Sequence, residues 1–415
     1  MRGHFIRASA FGVAAALISF GAWAQTIKVA YIDPLSGPFA NVGEQGLAEF
    51  RFAVERINAS GILGKQKLEV VPFDNKVSPQ ESLNQLKRVI DQNIRYITQG
   101  NSSAVAGALI EAVNRHNERN PGKEILYLNY AAVDPAFTND KCSFWHFRFD
   151  ANSDMKMEAL TTWMAQNQKI KKVYLINQDY SFGQAVRKAA REMLNKKRPD
   201  IQIVGDDLHP LGKVSDFSPY VAKMKQAGAD TVITGNWGQD MSLLIKAAKD
   251  AGLNADFYTY YAGGLGALPA MGESALGHVK QITEWHENVL PSSIEKWSQD
   301  FEKKYKTDFY YLRIRTAMQM FAEAAKRAKS NDPKAVGYAL EGLRFETPTG
   351  EVEMRKQDHQ LIQPLYLSTV QRMAAKGGPK EVKYDVEDTG FGFKTDAKLE
   401  ASTSAQPTSC KMTRP

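Results

Sequence analysis

The fold is decided by residues 29–74, whose sequence is VAYIDPLSGPFANVGEQGLAEFRFAVERINASGILGKQKLEVVPFD. An apolar, β-branched run at 27–32 is followed by an amphipathic segment at 46–60 and by a second strand-like run at 67–74. A strand, a helix and a second strand in this order predict a βαβ unit with parallel strands. The loop 33–43 follows the first strand, and ligands of open parallel sheets bind beyond the carboxyl ends of strands. We therefore expect this loop to form part of a cleft rim.

The alternation of strand and helix patterns continues along the chain in two rounds. The first round ends near Arg148, and the second runs from about residue 155 to about residue 262. The chain without its first 24 residues has about 390 residues, which is more than one hydrophobic core usually supports. The sequence therefore predicts an α/β fold of two lobes.

The amino terminus has the pattern of a secretory signal peptide. Arg2 and Arg7 precede an apolar stretch that ends in GAWAQ at residues 21–25, with alanines three and one residues before a cut after Ala24. This stretch is shorter than the roughly 20 residues that span a bilayer. We expect residues 1–24 to be removed and the protein to be exported to the periplasm.

The net charge does not indicate a nucleic-acid partner. The formal charge is +7, and removal of Arg2 and Arg7 would leave about +5, spread along the chain rather than gathered in a basic block. A solvated surface explains this excess, and a mild preference for anionic ligands is the alternative.

Cys142 and Cys410 are the two cysteines of the chain, and both lie in polar segments. In an exported protein we expect them to form a disulfide, which would tie a carboxyl-terminal tail, residues 396–415, to the body. Two free thiols are the alternative.

The sequence carries no motif of an enzyme, a cofactor site or a metal site. The loop 33–43 is not a phosphate-binding Walker motif, and GGLGALPAMG at 263–272 has proline where a dinucleotide fingerprint requires its last glycine. Gly-x-Ser-x-Gly, His-Glu-x-x-His and Cys-x-x-Cys do not occur, and the seven histidines lack metal-ligand spacing. We therefore expect a protein that is not an enzyme and binds no cofactor or metal.

Residues 29–82 closely resemble the opening of type I periplasmic binding proteins of the branched-chain amino acid (Leu/Ile/Val) ABC-transporter group. The resemblance covers about 350 residues in collinear order and leaves out the final tail. It continues through NSSAVAGAL (101–109), LNYAAVDPAFT (128–138), NQDYSFGQA (177–185), residues 212–241 and FETPTGEVEMRKQDHQ (345–360).

The resemblance implies a Venus-flytrap architecture (periplasmic binding protein type I), in which two Rossmann-like lobes joined by a three-crossing hinge close on a small ligand. The crossings would fall near Arg148, Gly277 and Thr347. The implied lobes are 26–148 plus 277–347 for lobe one and 149–276 plus 348–395 for lobe two. The closed form would be presented to the membrane permease of an ABC importer, and we expect a monomer.

The resemblance also implies which residues of the first lobe bind the ligand. Ser102 and Ser103, together with the backbone amides of Ala131, Ala132 and Val133, would hold a carboxylate. Hydroxyls and amides at a helix start give charge-assisted hydrogen bonds to an anion. Alternatively, the two serines only cap the helix that follows. Val133 departs from the family, which usually has a hydroxyl residue there to contact the amino-acid head group.

Further contacts would come from the second lobe and from the opening loop. Tyr180 matches a family aromatic that covers the ligand, with a surface tyrosine as the alternative. Trp237 falls near a predicted strand end, where it either joins Tyr180 at the ligand or packs in the core. Asp240 aligns with the glutamate that pairs with the ligand ammonium, although an acid in the first turn of a helix is also favoured by the helix dipole. Phe39 would cap the cleft mouth or pack as a partly exposed staple residue.

Other aromatic and basic residues leave two interpretations open. Tyr260, Tyr261 and Trp285 fall at or near predicted strand ends, where they either wall the cleft or pack in the core. His146 and Arg148 lie at the first crossing, where an arginine could bind a carboxylate but a structural role at the hinge is favoured.

Three functions remain open at this stage. A branched-chain amino acid binder is the family default and is favoured by Asp240. A binder of an aromatic or other hydrophobic carboxylic acid, of benzoate or hydroxycinnamate type, is favoured by Val133 and by the aromatic residues. The same fold also serves as a ligand sensor, here without an evident output domain.

Overall fold

The structure is a computed structural model, and it describes residues 26–289 and 292–415. The signal peptide expected at residues 1–24 lies outside the described residues. Within these two ranges, no helix has the length and the apolar composition needed to span a membrane.

The first lobe is built on a five-stranded parallel sheet with strand order β2-β1-β3-β4-β5. Its strands are β1 (Thr26–Asp33), β2 (Lys67–Asp74), β3 (Tyr96–Gln99), β4 (Leu126–Asn129) and β5 (His146–Arg148). The helices that connect them are α1 (Ala40–Ser60), α2 (Pro79–Asp91) and α3 (Ser103–Arg119). Because β1 pairs with β2 in parallel, from Thr26 opposite Lys67 to Asp33 opposite Asp74, the predicted βαβ unit is confirmed.

The second lobe is built on a seven-stranded sheet with order β15-β14-β10-β9-β8-β6-β7. Its strands are β6 (Lys172–Gln178), β7 (Gln202–His209), β8 (Thr231–Thr234), β9 (Asp256–Thr259), β10 (Val279–Thr283), β14 (Leu365–Arg372) and β15 (Phe391–Leu399). Its helices are α4 (Ser153–Met164), α5 (Ser181–Lys197), α6 (Ser218–Gln226), α7 (Gln239–Asp250) and α8 (Ala267–Met271). Strands β6 to β10 are parallel, and β14 and β15 add an antiparallel edge. The predicted α/β fold class is therefore confirmed.

The remaining elements pack mainly on the first lobe. They are α9 (Ser292–Tyr305), α10 (Leu312–Ala328), α11 (Pro333–Leu340) and a small sheet of β11 (Arg344–Thr347), β12 (Gly350–Met354) and β13 (Leu361–Ile362). Helix α10 contributes Ile314 and Phe321 to the core that also contains β1 and β3, and β12 contributes Val352. A short helix, α12 (Ala401–Ser404), follows β15.

The pairing of the strands places two of the chain crossings at higher residue numbers than the resemblance implies. Residues 277–283 were assigned to lobe one, yet β10 pairs with β9 and β14 inside the second sheet, where Ile282 is fully buried. Residues 348–364 were assigned to lobe two, yet Val352 and Leu361 are buried in the core of the first lobe. The difference arises because a strand's membership in a sheet depends on its partners, which a local pattern does not contain. The division into lobes remains a proposal.

The carboxyl-terminal tail is fixed to the first lobe. A disulfide joins Cys142 to Cys410. The hydroxyl of Thr408 also donates to the carbonyl of Thr138 at 2.6 Å, and Arg414 forms an ion pair with Glu341 at 2.8 Å. The first four residues of the expected tail, 396–399, belong to β15, and residues 397–399 pair with β14.

Candidate functional site

A cavity of about 100 Å³, which we call the interlobe cavity, lies between the two lobes. Both lobes line it, the first through the start of α3 and the segment after β4, and the second through the ends of its parallel strands. The predicted site residues that border it are Ser102, Ser103, Ala131, Ala132, Val133, Tyr180 and Trp237. Tyr260, Tyr261 and Trp285 also border it.

The two serines at the start of α3 have different surroundings. Ser102 has a φ of +81° and precedes α3 without capping it through its side chain. Its Oγ is buried and finds no hydrogen-bond partner among the described residues. Ser103, in contrast, accepts a hydrogen bond from the amide of Asp134 at 3.3 Å. The Ser102 hydroxyl is therefore free to contact a bound molecule.

The turn before α3 is held by a buried carboxylate. Asp33, at the end of β1, accepts hydrogen bonds from the amides of Gly100 at 3.1 Å and Asn101 at 2.9 Å. Burial raises the pKa of Asp33 to about 7, although these hydrogen bonds act in the opposite direction. The two amides are engaged by Asp33, so Ser102 and the first turn of α3 remain to contact an anion.

The segment after β4 has fewer free amides than the sequence suggested. The amides of Ala131 and Ala132 donate to the side-chain oxygen of Asn129 at 3.1 Å and 2.8 Å. The carbonyl of Val133 accepts from the amide of Ser153 at 2.9 Å. Two of the three amides expected to hold the carboxylate, those of Ala131 and Ala132, are therefore engaged within the segment itself.

Aromatic side chains of the second lobe form the opposite wall. The indole of Trp237 donates to the hydroxyl of Tyr180 at 2.8 Å, and burial raises the pKa of Tyr180, so that its hydroxyl stays neutral. Tyr260 also packs in the core and donates its hydroxyl hydrogen to the carbonyl of Ser153 at 2.7 Å. Tyr260 is thus both a core residue and a lining residue.

Phe39 lies outside the cavity lining and bridges the two lobes. It comes from the loop before α1, yet its ring centroid lies 4.4 Å from that of Trp237. A Cβ on Gly238 would lie 2.7 Å from the Phe39 ring, so glycine permits this close approach. The predicted residue therefore covers Trp237 from the side of the first lobe.

Asp240 is buried in the first turn of α7 and does not border the cavity. Its Oδ2 accepts hydrogen bonds from the side chain of Gln178 at 2.8 Å and from the amide of Gly212 at 2.9 Å. Burial raises the pKa of its carboxyl. This position suits a residue that holds the loops around Trp237 in place.

Sequence reasoning missed a group of four buried charges, which we call the hinge ion cluster and define as Asp150, Lys156, Glu284 and Arg313. Lys156 Nζ lies 2.9 Å from Asp150 Oδ1, Arg313 Nη1 lies 2.9 Å from Glu284 Oε1, and Arg313 Nε lies 3.6 Å from Asp150 Oδ2. Asp150 and Glu284 follow β5 and β10, where the chain leaves one lobe for the other. Glu284 and Arg313 border the cavity.

The charge state of the hinge ion cluster follows from its pairing. Burial alone would raise the pKa of Glu284, but the charges of Arg313 and Lys156 outweigh it and hold that pKa below its usual value. Burial opposes the charge of Arg313, but Glu284 and Asp150 outweigh it and raise its pKa. Both groups therefore carry their charges. No motif could have revealed the cluster, because its members are far apart in sequence.

Arg148 is engaged in the crossing itself. Its Nε donates to the side chain of Gln360 at 2.8 Å, and its Nη1 and Nη2 contact the carbonyl of Asp134 and the hydroxyl of Thr138. The side chain is fully buried. It joins β5 to the segment after β4 and to Gln360, the residue before β13, in keeping with the structural role favoured from the sequence.

Comparison with known proteins gives the same overall picture. A family model described as periplasmic binding protein matches residues 26–379. The Leu/Ile/Val-binding protein homolog 4 of Brucella abortus (strain 2308) is 35% identical over 418 residues, which cover 97% of this chain and 98% of that protein.

Two solved structures have the same fold. The closed conformation of the leucine-, isoleucine-, valine-, threonine- and alanine-binding protein of Brucella ovis is 33% identical, with a TM-score of 0.83 over 94% of this chain and 100% of that chain. A solute-binding protein of Rhodopseudomonas palustris BisB5, in complex with 3,4-dihydroxybenzoic acid, is 19% identical, with a TM-score of 0.77 over 91% of this chain and 98% of that chain. On these grounds, the chain belongs to the periplasmic binding protein family, as a relative of the Leu/Ile/Val-binding proteins.

Proposed function

We propose that this protein is the periplasmic substrate-binding component of an ABC importer. It binds a small carboxylate-bearing ligand of the branched-chain amino acid type between its lobes and presents the closed form to a membrane permease. The observation that carries this proposal is the unpartnered hydroxyl of Ser102, which borders the interlobe cavity at the start of α3. The close relatives are named as amino acid-binding proteins, which supports the ligand class.

The start of α3 provides the chemistry for holding a carboxylate. The first amides of a helix have no partners within the helix, and the helix dipole favours a negative charge at this end. No side chain caps α3. A carboxylate placed there accepts hydrogen bonds from the Ser102 hydroxyl and from these amides.

Closure of the lobes explains how binding would be signalled to the permease. The carboxylate contacts lie on the first lobe, whereas Tyr180 and Trp237 lie on the second. A ligand that touches both lobes binds the closed form more tightly than the open form and shifts the population towards it. Phe39 stabilises the same form by packing on Trp237.

An aromatic or other hydrophobic carboxylic acid is the second candidate ligand. Valine at position 133 offers no hydroxyl to an amino-acid head group, and the cavity is bordered by Tyr180, Trp237, Tyr260 and Tyr261. The Rhodopseudomonas palustris protein is an instance of this fold in complex with an aromatic acid. No catalytic role is proposed.

Thermal unfolding of ligand-stripped protein tests the proposal. The ligands are leucine, isoleucine, valine, phenylalanine, benzoate, 4-hydroxybenzoate and 4-hydroxycinnamate. A ligand at a hundred times its Kd stabilises the folded state by about 2.7 kcal/mol, which is readily measured. Stabilisation by the aliphatic amino acids supports the first candidate, and stabilisation by the aromatic acids alone supports the second. No stabilisation by any of them would contradict the proposed ligand class.

A further inference from the structure

The hinge ion cluster has several buried polar atoms without a hydrogen-bond partner in the described part of the chain, and one of them, Glu284 Oε2, belongs to a carboxylate that borders the interlobe cavity. Glu284 Oε1 accepts from Arg313 Nη1 at 2.9 Å, whereas Oε2 has no hydrogen-bond partner in the described part of the chain. The Glu284 side chain is only about 4% exposed, so Oε2 is cut off from bulk water. A buried acceptor that makes no hydrogen bond costs free energy, which a bound donor would recover.

The charges of the cluster determine what kind of group fits beside Glu284. The cations of Lys156 and Arg313 are matched by the anions of Asp150 and Glu284, with separations of 2.9 to 3.6 Å. The cluster therefore offers no unbalanced positive charge to a second anion. Arg313 Nε also makes no hydrogen bond within the described residues, but it lies 3.6 Å from Asp150 Oδ2, whereas the free lone pairs of Glu284 Oε2 attract a hydrogen-bond donor.

Asp240, which the resemblance gives as the partner of a ligand ammonium, does not have the same position relative to the cavity. Asp240 has its Oδ2 engaged by Gln178 and Gly212, and its Oδ1 is also buried without a partner among the described residues, but Asp240 does not border the cavity. Glu284 does border it. Of the two carboxylates, Glu284 is the one within reach of a molecule in the interlobe cavity.

We propose that Glu284 accepts a hydrogen bond from a donor group of the ligand, a hydroxyl or an ammonium, while the ligand carboxylate lies at Ser102. The preferred ligands are then carboxylates that carry such a donor, and plain aliphatic or aromatic acids bind less tightly. This inference rests on the proposed function and specifies the ligand class of the same cavity.

Isothermal titration calorimetry with matched ligand pairs tests the inference on the unmodified protein. Leucine is compared with 4-methylpentanoate, which lacks the ammonium, and 4-hydroxybenzoate is compared with benzoate, which lacks the hydroxyl. We expect the donor-bearing member of at least one pair to bind at least tenfold more tightly. Equal affinities within both pairs overturn the inference but leave the proposed function intact. If none of the four binds, the proposed ligand class fails, and the inference fails with it.

The variant Glu284→Gln then locates the effect. It removes the negative charge while keeping the side-chain length. We expect an ammonium-bearing ligand to lose at least tenfold in affinity and a hydroxyl-bearing ligand to lose about threefold to tenfold, while the donor-free partner changes less than threefold. Glu111→Gln is the matched control, since Glu111 lies on α3 with its side chain 66% exposed. Equal losses for both members of a pair would overturn the assignment to Glu284. If the variant does not fold, as judged by circular dichroism, the matched pairs on the unmodified protein decide the inference alone.

The size of the loss also distinguishes the two kinds of donor. An ammonium loses a charge-assisted hydrogen bond in Glu284→Gln, whereas a hydroxyl can still donate to the glutamine oxygen. A loss confined to leucine identifies an ammonium, and a smaller loss confined to 4-hydroxybenzoate identifies a hydroxyl. Both results support the inference and differ only in the ligand they name.

Discussion

Ser102 and Ser103 are neighbours with the same side chain but have different hydrogen-bond partners. The Ser103 hydroxyl accepts from the amide of Asp134, whereas the Ser102 hydroxyl has no partner in the described residues. A hydrogen bond to a charged group contributes about 1.5–3 kcal/mol. We expect Ser102→Ala to raise the Kd of a carboxylate ligand roughly tenfold to a hundredfold, and Ser103→Ala to raise it much less. Calorimetry on both variants checks this, and equal losses would argue against Ser102 as the anion contact.

Asp240 gives a second prediction at the scale of single residues. Its carboxylate accepts from Gln178, which also donates to the carbonyl of Trp237, and from the amide of Gly212, which lies against Phe39. We expect Asp240→Asn to lower the free energy of unfolding by about 1–2 kcal/mol. We also expect it to weaken the binding of amino acids and the binding of aromatic acids by similar factors. Denaturant unfolding and calorimetry measure the two effects. If only the binding of amino acids were lost, Asp240 would be the partner of the ligand ammonium after all.

At the scale of elements, the turn between β3 and α3 depends on Asp33 at the end of β1. Because burial raises its pKa to about 7, the folded state holds a proton there that the unfolded state releases near pH 4. The contribution of Asp33 to stability is therefore largest at low pH and falls as the pH rises from about 4 to about 7.

Replacing this carboxyl should change the pH dependence of folding. We expect Asp33→Asn to remove the decline that Asp33 causes between about pH 4 and pH 7, so that the variant loses less stability over this window than the unmodified protein. Thermal unfolding at a series of pH values provides the comparison. A profile parallel to that of the unmodified protein would show that Asp33 titrates normally.

The loop between β1 and α1 links the lobes through Phe39. The ring packs on Trp237 at 4.4 Å and is only 4% exposed, so opening the lobes would return it to water. Burial of such a side chain contributes about 1.5–3 kcal/mol. We expect Phe39→Ala to destabilise the closed form and to raise the Kd of every ligand about tenfold, mainly through a faster dissociation rate. Stopped-flow dissociation measurements test this, and an unchanged rate would mean that Phe39 does not stabilise closure.

The elements also show what the sequence could and could not predict. The βαβ unit could be predicted from local patterns, because apolar residues recur with one period in strands and with another in helices. The place of β10 in the second sheet could not be predicted from such patterns, because it depends on pairing with β9 and β14. Ser102 was found through a resemblance, and Trp237 through its place near a predicted strand end. Glu284 and Arg313 were missed because single charges in amphipathic segments are ordinary until the fold brings them together.

For the molecule as a whole, the tail adds a further connection between the lobes. It leaves the second sheet after Leu399 and is bonded to the first lobe at Cys410. Loss of a native disulfide typically costs about 2–5 kcal/mol. We expect the double variant Cys142→Ser, Cys410→Ser to unfold at lower denaturant concentration while retaining ligand binding, since neither cysteine borders the cavity. Unchanged stability would show that the tail is held by its other contacts.

The central claim is that the two lobes close on a small carboxylate ligand. Small-angle X-ray scattering of ligand-stripped protein, recorded as a tightly binding ligand from the panel is added, tests it most directly. We predict a saturable decrease in the radius of gyration that follows the calorimetric binding curve at one ligand per chain. A radius of gyration that stays constant while calorimetry records binding would contradict closure of the lobes.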